Sequence, residues 1–120
     1  MEAELVASGR FARVETHGSK SGLARAVTIG FVEDELIPGA ILVAAGGVDT
    51  AWARNLLADP ECRVELVDRT FAATAEPLAP AEHARAIREL ILRYGTPAES
   101  LGHGTSFRLR PEPTAPGATA

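Results

Sequence analysis

The run Ala40-Ile41-Leu42-Val43-Ala44-Ala45 constrains the fold most, because no polar side chain interrupts it. Pro38-Gly39 marks a turn before it and Gly46-Gly47 closes it. A short continuous apolar run between turn signals reads as a strand buried on both faces. Other strands are available to pair with it. Arg10 to Glu15 alternates around Phe11, Ala12 and Val14, and Arg25 to Glu33 is rich in β-branched and aromatic residues. Arg63 to Val67 and Thr70 to Ala75 follow, joined by a tight Asp68-Arg69 connection, and a last strand is expected around Ser106 to Arg110.

Two segments read as helices. Asp49 to Ala58 is short, with Asp49 or Thr50 able to cap its start and Pro60 ending it. Pro80 opens a longer helix that ends at Gly95, with Ala84, Ile87, Leu90, Ile91 and Tyr94 forming one apolar stripe. Arg85–Glu89 and Glu89–Arg93 are expected to pair on its exposed side. Short strands joined by tight turns, without strict strand–helix alternation, count against a doubly wound parallel sheet. They predict a mainly β (α+β) domain, a small antiparallel barrel with helices packed outside. Side chains fill so small a barrel, so a ligand is expected on its outer face or in a cleft beside the helices.

At 120 residues the chain has room for one domain. That domain is expected over residues 1–110, with 111–120 a disordered tail of Pro, Gly, Ala and Thr. A net charge of −4 argues against non-specific nucleic-acid binding, which needs basic charge to neutralise phosphates. Cys62 is the single cysteine, which excludes an internal disulfide and suits a reducing cytoplasm. No apolar stretch approaches the roughly 20 residues of a membrane span, and no signal-peptide pattern opens the chain. A cytoplasmic protein without an integral membrane segment is expected.

Any anion site must then be local, and one segment has the right chemistry. Gly18-Ser19-Lys20-Ser21-Gly22-Leu23-Ala24-Arg25 places a lysine and an arginine around a glycine-bracketed turn between two strands. Glycines let the backbone turn and expose its N–H groups, and the cations converge on one point. A phosphate or a carboxylate is the natural occupant. Downstream, Gly46-Gly47 is followed by Trp52, the only tryptophan, then by Asn55-Leu56 and Asp59-Pro60.

Taken together, Lys20-Ser21-Gly22-x-x-Arg25, Gly46-Gly47 and Trp52-x-x-Asn55-Leu56-x-x-Asp59-Pro60 resemble the deazaflavin-dependent nitroreductase family over roughly residues 12–110. The resemblance implies an FMN-binding-protein-like split β-barrel with two flanking helices. It implies an oxidoreductase that passes hydride from coenzyme F420 to a small-molecule quinone, nitro compound or activated enone. Lys20, Ser21, Gly22 and Arg25 would then hold the cofactor's phosphate and polyglutamate tail. Ala45, Gly46 and Gly47 would lie close to the deazaflavin ring, with Trp52 and Asn55 walling and anchoring it.

Relatives commonly carry a lysine before the double glycine, where this chain has Ala45; Arg54 could compensate. The lead before the first strand is short, so the substrate side is open or completed by a second subunit as a homodimer. No catalytic side chain is required for hydride delivery. A proton could come from water, Tyr94 or His103, although Tyr94 sits on an apolar stripe and reads better as structural. Two alternatives stay open: the same barrel using FMN, and a non-catalytic binding protein for a flavin-like or apolar ligand.

Other chemistries lack their residues. His17, His83 and His103 are scattered singly, so no metal-ligand spacing exists. The segment at 18–22 does not match a Walker loop, and Gly-x-Ser-x-Gly is absent. Cys62 reads as a small buried hydrophobe, and Glu33-Asp34-Glu35 as a solvated turn.

Overall fold

A computed structural model of the chain describes residues 2–18, 24–45, 51–95 and 104–112. Its elements in chain order are α1 (Glu2–Ala7), β1 (Phe11–His17), β2 (Ala24–Gly30), β3 (Val32–Glu33), β4 (Ile41–Ala44), α2 (Ala51–Ala58), β5 (Glu61–Glu65), β6 (Thr70–Pro77), α3 (Pro80–Tyr94) and β7 (Ser106–Pro111). The strands form one antiparallel sheet in the order β2-β1-β5-β6-β7-β4-β3. Its outermost strands, β2 and β3, are separated in sequence only by Phe31. The two edges can meet through one residue only if the sheet curls on itself. The result is a split β-barrel, as expected.

The apolar run beginning at Ala40 behaves as predicted. Every residue of β4 is buried. Ile41 and Val43 join Val14, Val64, Phe107 and Leu109 inside the barrel, whereas Leu42 and Ala44 pack outside against Ala86, Ile87 and Leu90 of α3. Alternate β4 side chains thus serve two cores, which is why no polar residue interrupts the run. On α3 the buried small residue is Ala86, not Ala84, which is exposed.

The stretch expected as one strand over Arg25 to Glu33 breaks at Phe31, where the chain leaves the β1 ladder and joins that of β4. Phe31 is buried and lies between strands, so its main-chain groups need other partners. Tyr94 supplies them: its hydroxyl accepts from the Phe31 N–H at 3.0 Å and lies 3.0 Å from the Phe31 carbonyl and closer still to that of Arg10. Close packing here needs Gly30, because a Cβ at that position would come within 3.0 Å of the Tyr94 ring. Tyr94→Phe keeps the ring contact with Phe11 and removes only the hydroxyl. It is expected to cost about 1–3 kcal/mol in urea unfolding, the range for leaving a buried N–H without its partner. Unchanged stability would show that the strand break does not depend on this bond.

Several local expectations are corrected. α1 forms within the short lead before the first strand, and β7 runs through Pro111, a residue assigned to the tail. β5 and β6 pair Glu65 with Thr70, which puts Val67 in the turn instead of the strand. The capping positions Asp49 and Thr50 and residues 113–120 of the tail lie outside the described residues. Arg85 approaches Asp34 at 3.9 Å, and Arg93 donates to the Gly9 carbonyl at 2.8 Å while stacking on Phe31. Both arginines are half-buried, and they reach a buried carboxylate and a main-chain carbonyl instead of Glu89.

Asp34 is not part of a solvated turn. Its side chain is 0% exposed and pairs with Arg108, itself buried on β7, whose guanidinium also reaches Glu82 of α3. Burial alone would push the Asp34 carboxyl up, but the Leu36 N–H, Arg108 and Arg85 outweigh it and hold the carboxyl below its usual range. This network ties the loop after β3 to β7 and α3.

Candidate functional site

Residues opposite one another on an antiparallel pair present their side chains on the same face. In the β1–β2 hairpin, Ala12, Val14 and Thr16 are buried, and their partners are Ile29, Val27 and Arg25. Ile29 and Val27 pack against the barrel core. Arg25 is the next position in that row and is exposed, so an apolar stripe ends in a guanidinium at the turn end of the hairpin. Lys20, Ser21 and Gly22, which lie between β1 and β2 in sequence, are outside the described residues, as are Gly46, Gly47 and His103.

α2 packs against β1 and β2. Ala53 and Leu56 enter the barrel core, and Trp52 is half-buried with its ring centroid 6.1 Å from that of Phe107. Asn55 is buried, and its Nδ2 donates to Thr16 Oγ1 at 3.1 Å. One residue on, His17 Nδ1 lies 3.5 Å from Asp59 Oδ2, and the Asp59 N–H donates to the Asn55 carbonyl at 2.8 Å. These contacts fasten the C-terminal end of α2 to the end of β1. The helix bearing Trp52 and Asn55 is therefore held beside the strand position opposite Arg25.

Ala45 is 1% exposed, packs in the barrel core and donates its N–H to the Thr105 carbonyl at 2.8 Å. Its side chain is therefore an interior one. Arg54 is exposed on α2. Tyr94 is elsewhere: it packs where Phe11 pairs with Gly30, at the opposite end of the hairpin from the Arg25–Thr16 pair. The rise along a strand puts that end about 15 Å away. The structure thus brings Arg25, Trp52 and Asn55 to one end of the barrel and leaves Tyr94 at another.

Thr16 was not anticipated as a site neighbour, since the first strand was expected to stop at Glu15. The signal was present in the alternation, because Thr16 continues the buried period of Ala12 and Val14 and is 0% exposed. A buried hydroxyl in that row requires a partner, and only the fold reveals that it is Asn55.

Among the described residues, the cysteine and the Ser106–His83 pair are closed. Cys62 is buried, and burial pushes its thiol up to about 12, with Glu112 and Asp59 adding to the shift. It is therefore a protonated thiol at neutral pH and a poor nucleophile. Ser106 lies 2.7 Å from His83 Nδ1, but it is 2% exposed beneath α3, so the pair fastens helix to sheet. Among the described residues no cluster of His, Cys, Asp and Glu could hold a metal, and no helix is long and apolar enough to cross a membrane.

The donor set is specific in kind. A guanidinium, a carboxamide and a half-buried indole face stand beside an apolar barrel interior. Such groups suit a flat heteroaromatic ring that carries an anionic tail, the guanidinium taking phosphate or carboxylate and the indole the ring.

Comparison with known proteins agrees with this chemistry. A profile of the F420H(2)-dependent quinone reductase family matches residues 6–103. No curated relative matches the chain significantly. Among solved structures, an F420-H2 dependent reductase (FDR-A) is 24% identical with a TM-score of 0.70, over 84% of this chain and 94% of that one. HutZ, a heme storage protein from Vibrio cholerae, is 18% identical with a TM-score of 0.73, over 94% and 89% of the two chains. A domain-swapped dimer is 22% identical with a TM-score of 0.69, over 90% and 92%. At these identities the structures establish the shared fold.

Proposed function

Because the chain belongs to the F420H(2)-dependent quinone reductase family, we propose that it binds coenzyme F420 at the Arg25 end of the barrel and reduces quinones, nitro compounds or activated enones. The oxidoreductase class follows from family membership; the substrate class and the site are the proposal. The observation that carries it is the placement of Arg25 beside the helix bearing Trp52 and Asn55.

Each residue has a role that its chemistry supports. Arg25, with Lys20 five positions before it in sequence, binds the phosphate and tail carboxylates through charge-assisted hydrogen bonds. Glycines at 46 and 47 let the main chain approach a flat ring. Trp52 walls the ring, while Asn55 offers a carboxamide to its polar edge. When bound, the reduced deazaflavin supplies a hydride that, with one proton from water, converts a quinone to its hydroquinone. The chain's own task is to hold donor and acceptor in contact and keep bulk water from the reacting face. Tyr94 keeps its hydroxyl on main-chain groups of Phe31 and Arg10. That leaves solvent or His103, which lies outside the described residues, and we assign the proton to solvent. The domain-swapped dimer that shares this fold supports a homodimer, in which a second copy completes the substrate side.

A non-catalytic or FMN-using binding protein is the second reading, favoured by Ala45 at the position where relatives carry lysine. Fluorescence titration with oxidised F420 beside FMN, at equal ionic strength, separates the readings. Micromolar or tighter binding of F420 alone is expected. A preference for FMN moves the protein to flavin chemistry, and binding of neither leaves a divergent binding protein.

A further inference from the structure

We propose that Thr16 is a positioning residue for the cofactor site: its buried hydroxyl holds the Asn55 carboxamide in place and couples the α2 half of the site to the Arg25 half. The inference rests on the reading of this end of the barrel as the cofactor site, and adds to it a residue that carries no part of the sequence motif.

Thr16 is 0% exposed on a row otherwise filled by Ala12 and Val14. A hydroxyl at that depth costs free energy unless it is hydrogen-bonded, and valine would fill the same space without that cost. The hydroxyl is matched by the Asn55 Nδ2 at 3.1 Å, from a residue 39 positions away and itself 8% exposed. A carboxamide has distinct donor and acceptor ends. A hydroxyl can accept from Nδ2 or donate to Oδ1, so the bond fixes where the Asn55 carboxamide sits; with Nδ2 on Thr16, as here, Oδ1 is turned away from it.

The same residue touches the other half of the site through the backbone. Thr16 stands opposite Arg25 in the β1–β2 register, and the next residue, His17, lies 3.5 Å from Asp59 at the end of α2. The N–H of Asp59 closes on the Asn55 carbonyl. Strand end and helix end are therefore joined at two successive β1 residues, one contact buried and one exposed. The buried bond defines the geometry, because the His17–Asp59 pair is nearly half exposed on both sides and solvent screens it. Thr16 touches no reacting group in this account; it acts through Asn55.

The test is a double-mutant cycle on cofactor affinity, read by fluorescence titration of the full chain with oxidised F420 and separately with FMN. Thr16→Val is expected to weaken binding of the preferred cofactor roughly fivefold, the size of one neutral hydrogen bond. Thr16→Ser restores the hydroxyl and is expected to bind within about twofold of wild type. Thr16→Val combined with Asn55→Ala is expected to bind no more weakly than Asn55→Ala alone, because the hydroxyl acts only through the carboxamide. A merely structural role would lower thermal stability in Thr16→Val and leave affinity unchanged, and that result overturns the proposal. Additive losses in the double variant overturn it too. Should Thr16→Val not fold, Thr16→Ser still decides: a loss as large as that of Asn55→Ala refutes positioning through the hydroxyl. If wild type prefers FMN, the deazaflavin reading fails while the cycle, run with FMN, still tests Thr16. If wild type binds neither, both fall.

Discussion

The double variant Lys20→Ala/Arg25→Ala is expected to bind oxidised F420 about 100-fold or more weakly than wild type, with its unfolding midpoint unchanged. Charge-assisted hydrogen bonds contribute about 1.5–3 kcal/mol each, and the lower end applies because Arg25 is exposed. Stability should hold, since an exposed side chain on an edge strand carries little of the fold. Titration at two ionic strengths adds a second check. The wild-type affinity should fall with salt, and that dependence should be largely lost in the variant. An affinity unchanged from wild type would reduce the glycine-bracketed segment to a turn and move the anion site elsewhere.

Arg108→Met should have the largest effect on stability, about 3 kcal/mol in denaturant unfolding. Removing one partner of a buried pair leaves a charge without compensation, and Asp34 is 0% exposed. Arg85 at 3.9 Å and the Leu36 N–H at 2.9 Å remain to hold the carboxylate, which places the cost at the low end of the range for such pairs. Replacing both partners, as Asp34→Leu/Arg108→Met, should recover much of the loss. The pH dependence has a definite sign. The folded carboxyl of Asp34 sits below its ordinary value of 3.8, so its contribution is fully present above that pH and is lost as pH falls through the lower, folded value. Urea titrations between about pH 3 and 6 should show wild-type stability falling at the acid end. In Arg108→Met the burial that raises the carboxyl is opposed by fewer groups, so the acid-side fall should shrink. A variant as stable as wild type would mean that water reaches the pair and screens it.

Elements whose sequence pattern was strong were legible before the fold was known. β4 reads as doubly buried because six apolar residues follow one another between glycine-containing turns. α3 reads as a helix from proline at its start, its apolar period and Gly95 at its end. The half of the site on Trp52 and Asn55 was legible only through the motif, since a lone tryptophan on a short helix has an equally good use as a core anchor. Trp52 does serve the core in part, half-buried against Phe107. α1 escaped notice because six residues provide too little periodicity to register. The acidic run at 33–35 misled because composition alone cannot tell a solvated carboxylate from one whose partner lies 74 positions ahead.

By itself, the sequence determined the doubly buried β4, the long helix α3, most of the strands and the family pattern. Each depends on neighbours along the chain, whose spacing sets backbone conformation and local charge. Tertiary structure alone decided where the long second strand breaks, which carboxylate is buried and what pairs with Asn55. Those outcomes rest on Phe31 with Tyr94, Asp34 with Arg108 and Thr16 with Asn55, pairs separated by 63, 74 and 39 positions. Local periodicity carries no information about such pairs. They exist because a sheet whose edges are joined through one residue must curl, and the curl brings distant polar groups out of water, where each needs a partner.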